Sequence, residues 1–254
     1  MNSALEFRNV TVAMASGRRL LENVSLTLEE GKVTAILGRS GSGKTTLLRT
    51  ANRLIDPSSG EVAIHGMAKD DVVALRRKMG YVIQETGLFP HFTIERNVGV
   101  VLEAEGLSRQ QRIERSRELL RLVGLDPDGF GGRYPHQLSG GQRQRVGLAR
   151  ALAAHPKILL MDEPFGALDP LTRAEMQDML LQLLKQMKTT VLLVTHDLDE
   201  ALYLANRIVL LSEGKIVADR AEDSFLKSEE PEIAAYVRAF RRGQADAAAK
   251  TERA

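Results

Sequence analysis

Eight residues, Gly38-Arg39-Ser40-Gly41-Ser42-Gly43-Lys44-Thr45, determine which fold this chain can adopt. The apolar run Val33–Leu37 comes before them and is typical of a buried parallel strand. Thr46-Leu47-Leu48-Arg49 comes after them and indicates the start of a helix. Glycines at such a junction let backbone N–H groups turn toward phosphate oxygens, and the positive helix end adds to the attraction. The pattern therefore predicts a P-loop that binds a nucleotide.

The P-loop, residues 38–45, supplies a cation and a hydroxyl group. We expect Lys44 to reach the β- and γ-phosphates and the Thr45 hydroxyl to coordinate Mg²⁺. The pattern occurs by chance in about 1% of chains of this length, and the strand and helix around it lower that fraction. The residues predicted to bind the nucleotide here are Gly38, Arg39, Ser40, Gly41, Ser42, Gly43, Lys44, Thr45 and Thr46.

Two carboxylates follow a second apolar run, Ile158-Leu159-Leu160-Met161. A carboxylate at the end of a buried strand can lie beside the P-loop and hold Mg²⁺ through water. Neighbouring residues of a strand point in opposite directions, so the next carboxylate is available for another role. We predict that Asp162 helps to hold the metal and that Glu163 polarises the attacking water.

The composition is that of an ordinary globular protein of 254 residues, 43% apolar and 27% charged. Its 35 basic and 33 acidic residues leave a formal net charge of +2, which argues against nucleic acid as a partner. The absence of cysteine excludes disulfides and thiolate metal sites. We find neither a signal-peptide pattern nor an apolar run of the roughly 18 residues that a membrane span needs.

Strand patterns alternate with helical patterns along the chain. Residues 3–30 predict short strands of an N-terminal antiparallel β subdomain. Apolar runs at 157–161 and 190–194 predict buried strands, which implies an α/β fold with a parallel sheet covered on both faces. Residues 208–217 predict a hairpin that turns at Glu213-Gly214.

A mostly helical stretch, about residues 88–155, separates these strands and predicts an inserted α-helical subdomain. Ser108 is placed to cap one of its helices, and Gly124 is placed to end that helix. We predict a single domain over residues 1–240 and an unstructured, Ala-rich tail over 241–254.

A second glycine-rich helix start lies inside this stretch. The signature segment, Leu138-Ser139-Gly140-Gly141-Gln142, precedes a helical pattern, and such a helix end attracts anions. Alone, it fits a plain serine-capped helix equally well. Because one P-loop is enough to hold one nucleotide, a second anion site makes sense if it closes on a nucleotide bound by another copy.

Taken in order, the P-loop, the signature segment and the acidic pair resemble the nucleotide-binding subunit of an ATP-binding cassette (ABC) transporter. The resemblance covers about residues 5–220 and implies a P-loop NTPase core that binds ATP and Mg²⁺. It also implies a head-to-tail homodimer with two ATP molecules between the copies. It assigns Ser139 and Gly141 to the ATP of the partner copy, and Gly140 and Gln142 join the predicted ATP contacts.

Three further matches extend the resemblance. Gln84 fits the family's Q-loop glutamine, which touches Mg²⁺ and the water. Gly166-Ala167-Leu168-Asp169 fits the D-loop at the dimer interface, so Asp169 joins the predicted ATP contacts. His196 fits the switch histidine that contacts the γ-phosphate. The catalytic set implied is Lys44, Gln84, Glu163 and His196, and the metal set is Thr45, Gln84 and Asp162.

One position departs from the family pattern. The family places an aromatic residue near the first strand to stack on adenine, and Met14 stands there. A thioether also packs against a ring face.

Residues around the motifs, including Gly87-Leu88-Phe89-Pro90 and Asp162-Glu163-Pro164-Phe165, resemble ATPase subunits of bacterial importers of osmoprotectants. Such importers move glycine betaine, choline or related quaternary amines. The implied partners are integral-membrane permease subunits and, through them, a solute-binding protein. The implied location is the cytoplasmic face of the bacterial inner membrane. Only a few dozen residues follow Val217, too few for the paired regulatory modules that many such relatives carry.

Two other functions remain open at this point. An ABC ATPase for another solute, for lipid trafficking or for export has the same core, and only the membrane partner distinguishes it. A soluble ABC protein that acts on DNA or ribosomes commonly has tandem cassettes or a long coiled coil. This sequence has one cassette and no long heptad run.

Overall fold

The computed structural model describes residues 2–65 and 71–251, with the side chains of 2–65 and 71–242. Its strands are β1 (Ser3–Ala13), β2 (Arg19–Glu29), β3 (Val33–Leu37), β4 (Ser59–Ile64), β5 (Met79–Val82), β6 (Ile158–Asp162), β7 (Thr190–Val194), β8 (Arg207–Ser212) and β9 (Lys215–Ala221). Its helices are α1 (Lys44–Ala51), α2 (Val72–Arg77), α3 (Ile94–Ala104), α4 (Arg109–Leu122), α5 (Pro127–Phe130), α6 (Gly140–Leu152), α7 (Pro170–Met187), α8 (Leu198–Leu204), α9 (Glu222–Phe225) and α10 (Pro231–Thr251).

The N-terminal strands form an antiparallel sheet in the order β2-β1-β4. Alternate residues of β1, such as Leu5 and Phe7, are buried, as the period of a half-covered strand requires. The antiparallel β subdomain predicted from residues 3–30 is therefore confirmed, with β4 as its third strand.

The main sheet has the strand order β5-β6-β7-β3-β8-β9. The first five strands in this order run parallel, and β9 returns antiparallel to β8 through the predicted turn at Glu213-Gly214. Strands β3, β6 and β7 are buried along their whole length, which is why they appear in the sequence as mostly apolar runs. The α/β fold with a covered parallel sheet is confirmed.

The main sheet separates two apolar cores. Along β6, Ile158 and Leu160 belong to the core shared with the N-terminal sheet, while Leu159 and Met161 belong to the core shared with the helices. This alternation continues into the acidic pair, so Asp162 lies on the face that α1 also covers. The packing of β6 thus places Asp162 next to the P-loop helix.

Every helix from α3 to α6 lies between β5 and β6 in the chain, and these helices form the inserted helical subdomain. Ser108 caps α4 as predicted, with a reciprocal bond between its own N–H and Gln111. Leu119, Leu120 and Val123 bury one side of α4, and Gly124 follows with φ of 72°. The helix ends here because Gly124 adopts a left-handed conformation, in which a residue with a Cβ would be strained.

The C-terminal segment differs from its prediction. The sequence predicts an unstructured tail from residue 241, whereas α10 continues to Thr251. Alanine has the strongest helix propensity of all residues, which explains why an Ala-rich segment extends the helix. Residues 252–254 lie outside the described part of the chain, and the bounds of the single domain stay a prediction.

Over residues 2–65 and 71–251, none of the helices combines the length and the apolar character that a membrane crossing requires.

Candidate nucleotide-binding site

The P-loop connects the end of β3 to the start of α1, and its backbone approaches neighbouring atoms so closely at Gly38 that a larger residue does not fit there. A Cβ at Gly38 would collide with the carbonyl oxygen of Leu211 and with Ser42 Oγ. Ser42 is buried, and its Oγ has no hydrogen-bond partner among the described residues. An unpartnered hydroxyl inside a loop at a helix N-terminus fits the binding of a phosphate group.

The side chain of Lys44 folds back into this loop. Its ammonium donates to the carbonyl oxygens of Gly38 at 2.8 Å and Arg39 at 3.1 Å. Burial lowers the pKa of Lys44, while the charges of Glu163 and Asp162 act in the opposite direction. The two carbonyls hold the ammonium where phosphate oxygens would meet it.

Thr45 and Asp162 form the second part of the site. Thr45 Oγ1 donates to Asp162 Oδ1 at 3.0 Å, although the two residues are far apart in sequence. Burial raises the pKa of Asp162, and the hydrogen bond from Thr45 and the charge of Arg49 oppose that rise. A bound cation would favour the charged carboxylate in this position.

The Thr45–Asp162 pair suits a Mg²⁺ ion that takes its other ligands from phosphate and water. Within residues 2–65 and 71–242, no group of three or more His, Cys, Asp or Glu could hold a metal ion. Mg²⁺ is commonly bound through one or two carboxylates, with phosphates and water completing its shell. Thr45 and Asp162 would supply the protein share of such a shell.

Glu163 receives contacts from the ends of two neighbouring strands. Gln84 Nε2, after β5, donates to Glu163 Oε2 at 3.4 Å, and His196 Nδ1, after β7, lies 3.3 Å from the same oxygen. Glu163 has a left-handed backbone with φ of 45°, and its N–H donates to Val194 at 2.9 Å. The structure thus brings together three residues predicted as catalytic, at the same sheet edge as Asp162.

The signature segment forms a separate cluster. Ser139 caps α6, and its N–H and hydroxyl are both engaged with Gln142, at 3.0 Å and 3.2 Å. In the described part of the chain, no hydrogen bond joins this segment to the P-loop. Asp169 caps α7 by accepting from Thr172 N at 3.1 Å, and a Cβ at Gly141 would collide with the Thr172 side chain. The signature segment and the D-loop are therefore neighbours, and together they form a cluster distinct from the residues around Lys44.

Met14 lies on a turn just after β1 and is half exposed. Its N–H donates to the carbonyl oxygen of Arg18 at 2.9 Å. Its stacking on adenine stays a prediction.

Two residues in contact with this site carry no sequence signal that singles them out. Arg150, on α6, donates to the carbonyl oxygens of Thr86 at 2.6 Å and Gly87 at 2.7 Å, which ties the signature helix to the Q-loop. Tyr236, on α10, donates to the carbonyl oxygen of His196 at 3.1 Å. All three bonds end on backbone oxygens, so no pattern of acceptor side chains could have predicted them.

The parallel sheet, the P-loop lysine and the hydroxyl–carboxylate pair define a P-loop nucleotide-binding domain with a helical insertion. Residues 21–166 match the ABC transporter family. The chain belongs to that family.

Curated relatives agree with this assignment. The chain is 48% identical to the choline transport ATP-binding protein OpuBA of Bacillus subtilis over 226 residues, which are 88% of this chain and 59% of that protein. It is 45% identical to the glycine betaine uptake system ATP-binding protein YehX of Escherichia coli over 215 residues, 84% of this chain and 69% of that protein. The chain thus spans about three-fifths of the length of the first relative.

Solved structures show the same fold. A dimeric ATP-binding cassette in a post-hydrolysis state, bound to ADP and Pi, has a TM-score of 0.78 and 36% identity, covering 86% of this chain and 98% of its own. A cassette from Clostridium perfringens, part of an ABC transporter complex, has a TM-score of 0.81 and 25% identity, covering 96% and 99%.

Proposed function

We propose that this chain hydrolyses ATP with Mg²⁺ as the nucleotide-binding subunit of an osmoprotectant importer. The observation that carries the hydrolytic part is that the side chains of Gln84 and His196 both contact Oε2 of Glu163. That oxygen lies at the same sheet edge as Lys44 and the Thr45–Asp162 pair.

In this proposal, the oxygen of a water molecule attacks the γ-phosphorus, and its proton passes to Glu163. The bond between the γ-phosphorus and the bridging oxygen breaks, and ADP leaves with the electron pair. Lys44 stabilises the charge on the phosphate oxygens, while Gln84 and His196 orient the water and the γ-phosphate. Mg²⁺, held by Thr45, Asp162 and Gln84, neutralises phosphate charge when bound.

The second half of each site comes from another copy of the chain. Ser139, Gly140, Gly141 and Gln142 of one copy cover the ATP held by the P-loop of the other, and Asp169 lies at the interface. The separation of the two clusters within one chain supports this arrangement, and the similar solved cassette is dimeric. Closure of the dimer around ATP is then the step that performs work.

The transport part rests on the relatives. Several proteins 44–48% identical to this chain are named for the transport of choline, carnitine, glycine betaine or osmoprotectants. We infer integral-membrane permease subunits and a solute-binding protein as partners, with this chain bound peripherally at the cytoplasmic face of the bacterial membrane. The bonds of Arg150 to the Q-loop provide a rigid connection through which closure reaches the permease.

The experiment is ATP hydrolysis by the complex purified from membranes and rebuilt in liposomes. A solute-binding protein loaded with glycine betaine or choline is expected to stimulate hydrolysis, while the empty binding protein is not. The same complex with Glu163→Gln is the matched control for background hydrolysis. Hydrolysis that ignores these amines would reject the substrate class. Failure to recover any membrane partner would reject the transporter and point to a soluble ABC protein.

A further inference from the structure

A small cavity lies directly behind Glu163 and His196. Its other walls come from the D-loop, from α7, and from the segment that joins β7 to α8. We call it the rear cavity, and its remaining lining residues are Gly166, Arg173, Thr195, Asp197 and Glu200. The reaction proposed above uses none of these five.

Two residues that line this cavity, one acidic and one basic, each have a buried side-chain atom without a hydrogen-bond partner among the described residues. Glu200 is 4% exposed, and its Oε1 has no hydrogen-bond partner among the described residues. The Nε of Arg173 is buried and unpartnered in the same way. Buried polar groups are nearly always hydrogen-bonded, so an unpaired carboxyl oxygen and an unpaired guanidinium nitrogen that line one cavity are each available for a bond that this arrangement does not make.

Arg173 meanwhile joins the two loops that flank the catalytic residues. Its Nη1 donates to Asp197 Oδ2 at 3.2 Å, in the segment that carries His196. Its Nη2 donates to the carbonyl oxygen of Leu168 in the D-loop at 3.4 Å. One guanidinium therefore holds the D-loop and the His196 segment in a fixed relation.

The charge of Glu200 is set by its surroundings. Burial raises the pKa of Glu200 to about 8, and the charges of Asp197 and Glu163 act in the same direction. A hydrogen bond with Thr195 and the charge of Arg173 oppose the rise. Near neutral pH the carboxyl group is therefore mostly uncharged, and it does not compete with Asp197 for the guanidinium.

We propose that Glu200 is a positioning residue for ATP hydrolysis, acting through Arg173. While Glu200 is uncharged, Arg173 stays on Asp197 and Leu168, and the D-loop and His196 keep their working arrangement. When Glu200 becomes charged, it attracts the free Nε of Arg173 and draws the guanidinium away from Asp197 and Leu168, whose bonds of 3.2 Å and 3.4 Å are long. The two loops then separate, and hydrolysis falls. This inference rests on the proposed ATPase function.

The test is the pH profile of kcat for ATP hydrolysis by the full chain between pH 7 and pH 9. With a pKa of about 8, the uncharged fraction falls from about nine-tenths to one-tenth, so wild-type kcat is expected to fall about tenfold. Glu200→Gln keeps an uncharged group of the same shape at every pH. We expect its kcat to equal that of the wild type at pH 7 and to decrease much less than the wild-type kcat between pH 7 and pH 9. Asp199→Asn, which removes an exposed carboxylate from the same helix, is expected to follow the wild type.

A second variant tests the route through Arg173. Arg173→Lys keeps a positive charge but loses the fork that reaches both Asp197 and Leu168. We expect kcat to fall severalfold with the KM for ATP unchanged, because the P-loop is untouched. A wild-type pH profile in Glu200→Gln, or wild-type kcat in Arg173→Lys, overturns this inference alone. A wild-type chain that hydrolyses no ATP at any pH overturns the proposed function, and this inference with it.

Discussion

Glu163 stands where the ends of three strands meet, and its backbone is held in a left-handed conformation. Such a conformation costs a residue with a Cβ about 1–3 kcal/mol, so the surrounding structure must enforce it. The bond from its N–H to Val194 and the contacts of its carboxylate do so. At the scale of single residues, the site is a carboxylate fixed in position before any substrate arrives.

Replacing Glu163 by Gln removes the proposed proton acceptor and leaves the P-loop intact. We expect kcat for ATP hydrolysis to fall at least about 100-fold, since a positioned general base contributes about 10²- to 10⁴-fold. The affinity for ATP, measured by equilibrium binding, is expected to stay within a few-fold of the wild type. Glu229→Gln, at an exposed carboxylate, serves as the control. Near-wild-type turnover in Glu163→Gln would remove Glu163 from the role of base.

The raised pKa of Glu200 also predicts how stability depends on pH. The folded chain keeps this proton up to a pH of about 8, whereas the unfolded chain releases it near the ordinary value of 4.5. Between these values the folded state binds more protons, so the free energy of unfolding decreases as pH rises. Each unit of pKa difference corresponds to about 1.4 kcal/mol, so the loss amounts to a few kcal/mol.

Urea unfolding of the nucleotide-free chain at pH 5 to pH 9 measures this dependence. Glu200→Gln is expected to flatten it and to be more stable than the wild type at pH 8.5. Asp199→Asn is again the matched control. Parallel curves for wild type and Glu200→Gln would show that Glu200 does not carry a buried proton.

The residues that the sequence could predict are those whose role depends on local spacing. Lys44 and Thr45 belong to a contiguous loop, and Asp162 follows a strand whose alternation determines its face. Arg173 and Glu200 could not be predicted, because their contacts depend on how α7 and α8 pack behind the sheet. Tyr236 reaches the site only because α10 folds back over it.

At the scale of elements, two helices of the inserted subdomain begin in nearly the same way. Ser108 caps α4 with Gln111 as its reciprocal partner, and Ser139 caps α6 with Gln142. The cap bonds are 3.3 Å and 3.2 Å long, and both return bonds are 3.0 Å. Local structure thus gives the two serines equal parts in stabilising a helix, and only α6 has a glycine-rich start.

This pair separates a structural role from a functional one. Ser108→Ala and Ser139→Ala are each expected to lower the free energy of unfolding by about 1 kcal/mol through the lost cap. Only Ser139→Ala is expected to reduce ATP hydrolysis, by about tenfold or more, because in the proposed dimer Ser139 also contacts the γ-phosphate held by the other copy. Chemical unfolding and kcat are measured on both variants. Equal kcat in the two would leave Ser139 as a helix cap and nothing more.

Element boundaries show where local reasoning succeeds. The start of α4 at Ser108 and the end before Gly124 follow from cap chemistry, and both were predictable. The far end of α10 was not, because composition alone does not separate an exposed Ala-rich coil from a helix that extends a packed one. Ile233 and Val237 anchor the first turns of α10 in the core, and the helix continues from there.

At the scale of the whole molecule, the predicted ATP contacts fall into two clusters. The P-loop edge of the sheet holds one, with Lys44 and Glu163, and the N-terminus of α6 holds the other. In the described part of the chain the two are not joined by hydrogen bonds. In the proposed head-to-tail dimer, a second copy completes both sites at once, which is why we expect ATP to drive dimerisation.

Cysteine cross-linking measures directly whether two copies share one nucleotide, and the chain has no cysteine of its own. Ser40→Cys is placed in one tagged copy and Ser139→Cys in another, both with Glu163→Gln so that ATP persists. With ATP and an oxidant we expect a cross-link between the two tags, since a disulfide needs Cα atoms about 4.4–6.8 Å apart. No cross-link is expected without nucleotide, or with Ser108→Cys in place of Ser139→Cys. Copies that both bind ATP but never cross-link through position 139 would contradict the shared site.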